Sequence, residues 1–126
     1  MKLLKPRPAW SDIFIGSNRW VSWKYDIYYP KDVDPAQWQA IIRHENVHIN
    51  RQIEFGFYNW LFKYITSRSF RLDEEARAIA VELQGTDIKQ RPIILEVYCR
   101  FLAGKEYFFA ASSIHEAREA IYKYLN

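Results

Sequence analysis

The sequence predicts an α+β fold that is predominantly helical, with a small N-terminal antiparallel hairpin or sheet followed by a helical bundle. Three observations lead there. β-Branched and aromatic residues concentrate before residue 30, apolar residues recur at helical spacing through most of the later chain, and glycines and polar breaks cut that later part into pieces of helix length.

A chain of 126 residues suits one compact domain over 1–126, with 1–11 as a segment free to be flexible. A 49% hydrophobic and 26% charged composition excludes disorder, and 17% aromatic content implies bulky rings filling a small core. Trp10, Trp20, Trp23, Trp38 and Trp60 are read as core residues on that basis. The net charge is only +3 with Lys and Arg dispersed, so no nucleic-acid partner is favoured. Cys99 stands alone, which rules out an intrachain disulfide and fits a reducing compartment. The start, Met1-Lys2-Leu3-Leu4-Lys5-Pro6-Arg7-Pro8, lacks the apolar segment of a signal peptide, so the expected location is cytoplasmic. The longest apolar stretch, Phe55 to Ile65, is too short for a membrane span and contains Lys63; it reads as a buried or interfacial helix.

In chain order, Ile13-Phe14-Ile15 and the run Trp20 to Tyr29 flank the turn signal Gly16-Ser17-Asn18, which suggests a hairpin. Asp34-Pro35-Ala36-Gln37 then announces a helix, with Asp as N-cap, Pro as first helical residue and Gln as third-position partner. Trp38, Ile41, Ile42, Glu45 and Ile49 recur along it, and Gly56 ends or bends it. Phe57 to Ile65 forms a second helix, and Thr66-Ser67-Arg68-Ser69 reads as a polar break. A third helix is expected over Leu72 to Leu83, with Leu72, Ala76, Ile79, Ala80 and Leu83 on its apolar face. Pro92 to Leu102 and Ile114 to Leu125 complete the set, the last opened by the capping box Ser113-Ile114-His115-Glu116. Tyr107-Phe108-Phe109 falls in the connection between them.

On the first helix lies His44-Glu45-Asn46-Val47-His48, an H-E-x-x-H pattern. Histidines four residues apart stack on one helix face, so their ring nitrogens can converge on one metal ion, expected to be zinc, while Glu45 is placed to activate the metal-bound water. A catalytic zinc takes three protein ligands, so a third must come from elsewhere: Asp73, Glu74, Glu75, Glu82 or His115.

The chain resembles the gluzincin class of zinc metallopeptidases, particularly the minimal single-domain forms of bacteria and phages. Three segments carry the likeness: the H-E-x-x-H pattern with Arg51-Gln52; Phe70-Arg71-Leu72-Asp73-Glu74-Glu75-Ala76-Arg77-Ala78; and the aromatic Tyr107 stretch ahead of Glu116-Ala117. The later gluzincin ligand sits in an E-x-x-A pattern. Matching it onto Glu75-Ala76-Arg77-Ala78 implies that Glu75 joins His44 and His48 as metal ligands and that Glu45 is catalytic. The resemblance also implies a zincin-like domain, a strand whose free edge borders the cleft, and a peptide or protein as substrate. One position departs from the pattern: the aspartate that orients the first histidine in larger gluzincins is replaced by Ile79. For transition-state stabilisation, Tyr58, Tyr64, Tyr107 and His115 are candidate donors.

The function expected is zinc-dependent hydrolysis of peptide or amide bonds. The alternative is a zinc-stabilised regulatory or interaction module, catalytically weak or inactive; in a phage-encoded case either would work in the host cytoplasm.

Overall fold

A computed structural model describes residues 4–8, 11 and 19–125. Three short strands form one sheet in the order β1-β3-β2: β1 (Leu4–Pro6) lies parallel to β3 (Asp26–Tyr29), and β2 (Val21–Trp23) pairs antiparallel with β3. Five α-helices come after the sheet: α1 (Gln39–Phe55), α2 (Phe57–Thr66), α3 (Arg68–Gln84), α4 (Arg91–Leu102) and α5 (Ile114–Leu125). The fold is thus α+β and predominantly helical, as expected.

The sheet differs from its expected form in two ways. Its hairpin turns at Lys24-Tyr25, inside the run read as a single strand, while the expected turn at 16–18 and the Ile13-Phe14-Ile15 run lie outside the described residues. Both turn residues are left-handed, at φ 49° and 75°, which is the backbone of a type I′ turn. Residues 4–6, read as part of a segment free to be flexible, are instead the third strand, in register Leu4 to Ile27 and Pro6 to Tyr29.

Helix boundaries obey their capping chemistry. Asp34 does cap, its Oδ1 accepting the Ala36 N–H at 3.0 Å, but it opens only a 3-10 turn, Pro35–Gln37. Trp38 then leaves the helical region at φ −120°, ψ 46°, and α1 starts after it. Trp38, expected in the core, is 44% exposed as a consequence, and Trp23, expected there too, is 47% exposed at the end of β2. Gly56, at φ 79°, is the single residue between α1 and α2. Helix α3 begins four residues before its expected start, because Ser67 Oγ accepts the Phe70 N–H at 3.1 Å and turns the polar break into a cap. Helix α5 occupies its expected span, with Ser113 Oγ accepting the Glu116 N–H at 3.0 Å.

The apolar core lies between α3, α4 and α5, around Ala76, Ile79, Leu83, Cys99, Leu102 and Ile121. Cys99 is fully buried there. On its other side α3 packs along α1, and the buried Ala78, one turn from Glu75, lies on the face the two helices share. Gln52, on α1, joins this bundle to the sheet: its amide donates to Ser22 O at 3.3 Å and its Oε1 accepts the Tyr25 N–H at 3.1 Å.

Candidate metal centre

The buried face of α1 is polar, consisting of His44, Glu45, His48 and Gln52 with Ile49. Such a face is costly to bury unless a complementary one meets it. Helix α3 provides that complement, presenting Glu75 and, two turns on, Glu82. His44 Nε2 and His48 Nε2 lie 3.3 and 3.2 Å from the same oxygen, Glu75 Oε1. All three residues are buried, and their ligand atoms lie within 4.8 Å of one another, an arrangement that can hold a metal ion.

Each of these ligands except His48 is held from behind. His44 donates its Nδ1–H to Glu82 Oε1 at 2.9 Å, and Tyr98 donates its hydroxyl to the same oxygen at 2.7 Å. The Tyr98 ring also stacks on His44, with centroids 5.8 Å apart. Tyr64 donates to Glu75 Oε2 at 2.5 Å, leaving Oε1 for the histidines. His48 leans on the Trp60 ring, 5.9 Å away, and its Nδ1 is buried with no hydrogen-bond partner among the described residues.

The protonation pattern is a consequence of this packing. Burial lowers the His44 pKa, but hydrogen bonds to Glu75 and Glu82 and the charge of Glu45 outweigh it and raise it to about 10. His48 is raised as well: burial opposes protonation, and Glu75 more than compensates. Burial pushes the Glu75 carboxyl up, whereas the two histidines hold it well below the usual carboxylate range. A cation entering the cluster therefore competes with protons for the same nitrogens. Tyr64, Tyr98 and Tyr107 are all raised well above the ordinary phenol value, first by burial and then by carboxylate charge that includes Glu75 or Glu82.

The other candidate residues are dispersed. Glu45 is 7% exposed at the site, and among the described residues no donor engages its carboxylate. Tyr107 is close enough to feel the charges of Glu75, Glu45 and Glu82, and the Arg19 guanidinium lies over its ring at 4.9 Å. Tyr58 points outward from α2, 70% exposed, and His115 is exposed on the first turn of α5; neither belongs to the cluster. Asp73 accepts from Arg77 Nε at 2.9 Å and from the Tyr124 hydroxyl, away from the histidines. Glu74 is fully buried and takes Arg51 Nε at 2.7 Å and Trp60 Nε1 at 3.2 Å, tying α1, α2 and α3 together.

Two features of the site are missing from the sequence reading. Glu82 enters there only as a ligand; its place seven residues after Glu75, hence on the same helix face, is the signal that it supports His44 instead. Tyr98, in an apolar run on α4, carries no local signal.

Compared with known proteins, the chain matches no family model, no curated protein and no solved structure.

Proposed function

We propose that this chain is a small zinc-dependent hydrolase of peptide or amide bonds, built on gluzincin lines, in which His44, His48 and Glu75 hold the ion and Glu45 moves the proton. The observation that carries the reading is the convergence of both Nε2 atoms on one Glu75 oxygen, at 3.3 and 3.2 Å. Ligands about 2.0–2.1 Å from a tetrahedral ion stand roughly 3.3 Å apart, so the spacing suits a zinc-sized centre. Two imidazoles and one carboxylate also favour zinc over the hard, oxygen-seeking cations.

Bound zinc supplies an acidified water and a Lewis acid for a carbonyl oxygen. Glu45, next to His44 in the chain and free of donors among the described residues, is placed to take the proton of an attacking water and pass it to the departing amine. Tyr107 stays protonated at neutral pH, which fits it to donate to an oxygen that gains charge, whereas the Tyr64 proton is already given to Glu75 Oε2. Tyr58 and His115 have no part in this reading.

The test pairs metal content with turnover. Wild type should carry one zinc per chain and cleave unstructured peptides; Glu45→Gln should keep the zinc and lose cleavage, while His48→Ala and Glu75→Ala should lose the zinc. Full activity in Glu45→Gln would sink the mechanism.

One observation favours a second reading, a zinc-stabilised interaction module. His44, Glu45, His48 and Glu75 are all 7% exposed or less, and a surface groove of about 290 Å³ beside α1, lined by Val47, Asn50, Arg77 and Tyr124, does not reach them. Tightly retained zinc with no hydrolysis of any peptide would select that reading.

A further inference from the structure

Helix α2 has a second face that the metal site does not use. Phe57 and Trp60 are buried, but Tyr58, Phe62 and Ile65, at i, i+4 and i+7, form an outward stripe exposed by 70%, 67% and 65%. Scattered exposed apolar side chains are ordinary; a contiguous row of large ones on a single helix face is not.

The two ends of this stripe are extended by turns of the same unusual kind. At the N-terminal end, the Tyr25 hydroxyl accepts the Phe57 N–H at 3.3 Å, and Lys24 Nζ sits 5.6 Å from the centre of the Tyr58 ring. At the C-terminal end, Arg71 donates to the carbonyls of Tyr64, Ile65 and Phe108, which fixes the Phe108-Phe109 turn against the end of α2. Lys24-Tyr25 and Phe108-Phe109 are consecutive pairs of non-glycine residues in the left-handed region, with φ between 49° and 75°. That conformation costs on the order of 1 kcal/mol or more for each residue with a side chain. Phe108 and Phe109 are also held out into water, 69% and 59% exposed. Strain and exposure thus coincide at both ends of one apolar stripe.

Helix α2 itself carries charge of one sign. The ten residues of α2 contain Lys63 and no carboxylate. Among the described residues, neither Lys24 nor Lys63 has a carboxylate within ion-pair distance; Lys24 rests over the Tyr58 ring, and Lys63 over Phe55 at the end of α1 and Phe70 at the start of α3. Aromatic and long apolar side chains bordered by lysines suit the boundary between lipid headgroups and acyl chains. The face is also too short to do more than lie in that boundary: among the described residues no helix is long and apolar enough to cross a membrane.

We propose that the outer face of α2, with the Lys24-Tyr25 and Phe108-Phe109 turns at its ends, docks on the surface of an anionic lipid bilayer. The apolar row enters the headgroup region and the two lysines meet lipid phosphates. This is independent of the hydrolase reading, since the stripe and the metal ligands occupy different faces.

The test is co-sedimentation of the full chain with vesicles of phosphatidylglycerol and phosphatidylcholine, beside vesicles of phosphatidylcholine alone. Binding should require the anionic lipid and weaken as salt rises. Phe62→Ser combined with Phe109→Ser should lower partitioning at least tenfold, and Lys24→Gln or Lys63→Gln about fivefold each. All four positions lie outside the metal cluster, so zinc content and melting temperature serve as controls for folding, and the lysine variants keep the test decisive if the apolar pair fails to fold. Absence of binding, equal binding to neutral vesicles, or a dimer in solution that Phe62→Ser dissolves would overturn the proposal.

Discussion

Glu82 holds His44 from behind: its Oε1 accepts the imidazole Nδ1–H at 2.9 Å, which fixes the ring with Nε2 toward Glu75. This carboxylate does from a later position what Ile79 leaves undone. Orienting partners of this kind commonly matter by about 10–100-fold in metal affinity. Glu82→Ala should therefore weaken zinc binding by that order, measured by competition with a chromophoric chelator. Tyr98→Phe, which removes one donor to the same oxygen, should weaken it less; an unchanged affinity in both variants would refute the role.

Metal should also stabilise the fold, because the unfolded chain offers no assembled site. At free zinc about 100 times the dissociation constant, the expected gain is about 2.7 kcal/mol. For a domain of this size that raises the melting temperature by on the order of 10 °C. Calorimetry with zinc and with excess chelator measures it, and His48→Ala should abolish the difference.

Gly56 is the only residue between α1 and α2, and its φ of 79° is open to glycine but strained for other residues. A Cβ there would meet nothing within 4 Å, so the cost of Gly56→Ala is conformational and not steric. Urea unfolding should show a loss of about 1–2 kcal/mol.

Asp73 ties α3 to α5 through the Tyr124 hydroxyl. Burial pushes its carboxyl up, but hydrogen bonds from Tyr124 and Arg77 outweigh this and hold it below the ordinary value of 3.8. A pKa depressed by folding stabilises above the unfolded value, and that contribution disappears as pH falls through the folded one. Asp73→Asn should lower the melting temperature by roughly 2–4 °C near pH 7, and the gap should persist through the ordinary carboxylate range and close only as pH falls through the depressed folded value.

The legible part of the sequence is the part that local chemistry encodes. The capping box at Ser113 sets the start of α5, whereas the residues by themselves leave several candidate partners for the histidines open, and only the resemblance to gluzincins singles out Glu75, the carboxylate that meets them. Ser67 is misread because a serine that caps and a serine that breaks look alike until the helix beyond it is known. Strand β1 is missed because parallel pairing with residues more than twenty positions away leaves no mark on Leu4-Lys5-Pro6. Glu74 is a related case. In a helix expected to begin at Leu72 it falls in the first turn and reads as a dipole partner, whereas α3 begins at Arg68 and the burial of Glu74 depends on Arg51 and Trp60 arriving from two other helices.

The join made by Gln52 bears on how this protein behaves in a crowd. In a two-residue hairpin closed by the Trp23–Asp26 pair, Ser22 is a non-hydrogen-bonded position, so its amide and carbonyl face away from β3. Such an outward carbonyl on an edge strand is an invitation to any extended chain. Gln52 answers it with its own amide and takes the Tyr25 N–H with the other end of the same group. One side chain of α1 thus stands in for a neighbouring strand. It guards the sheet against edge-to-edge aggregation, because any extended chain laid along β2 must first displace Gln52.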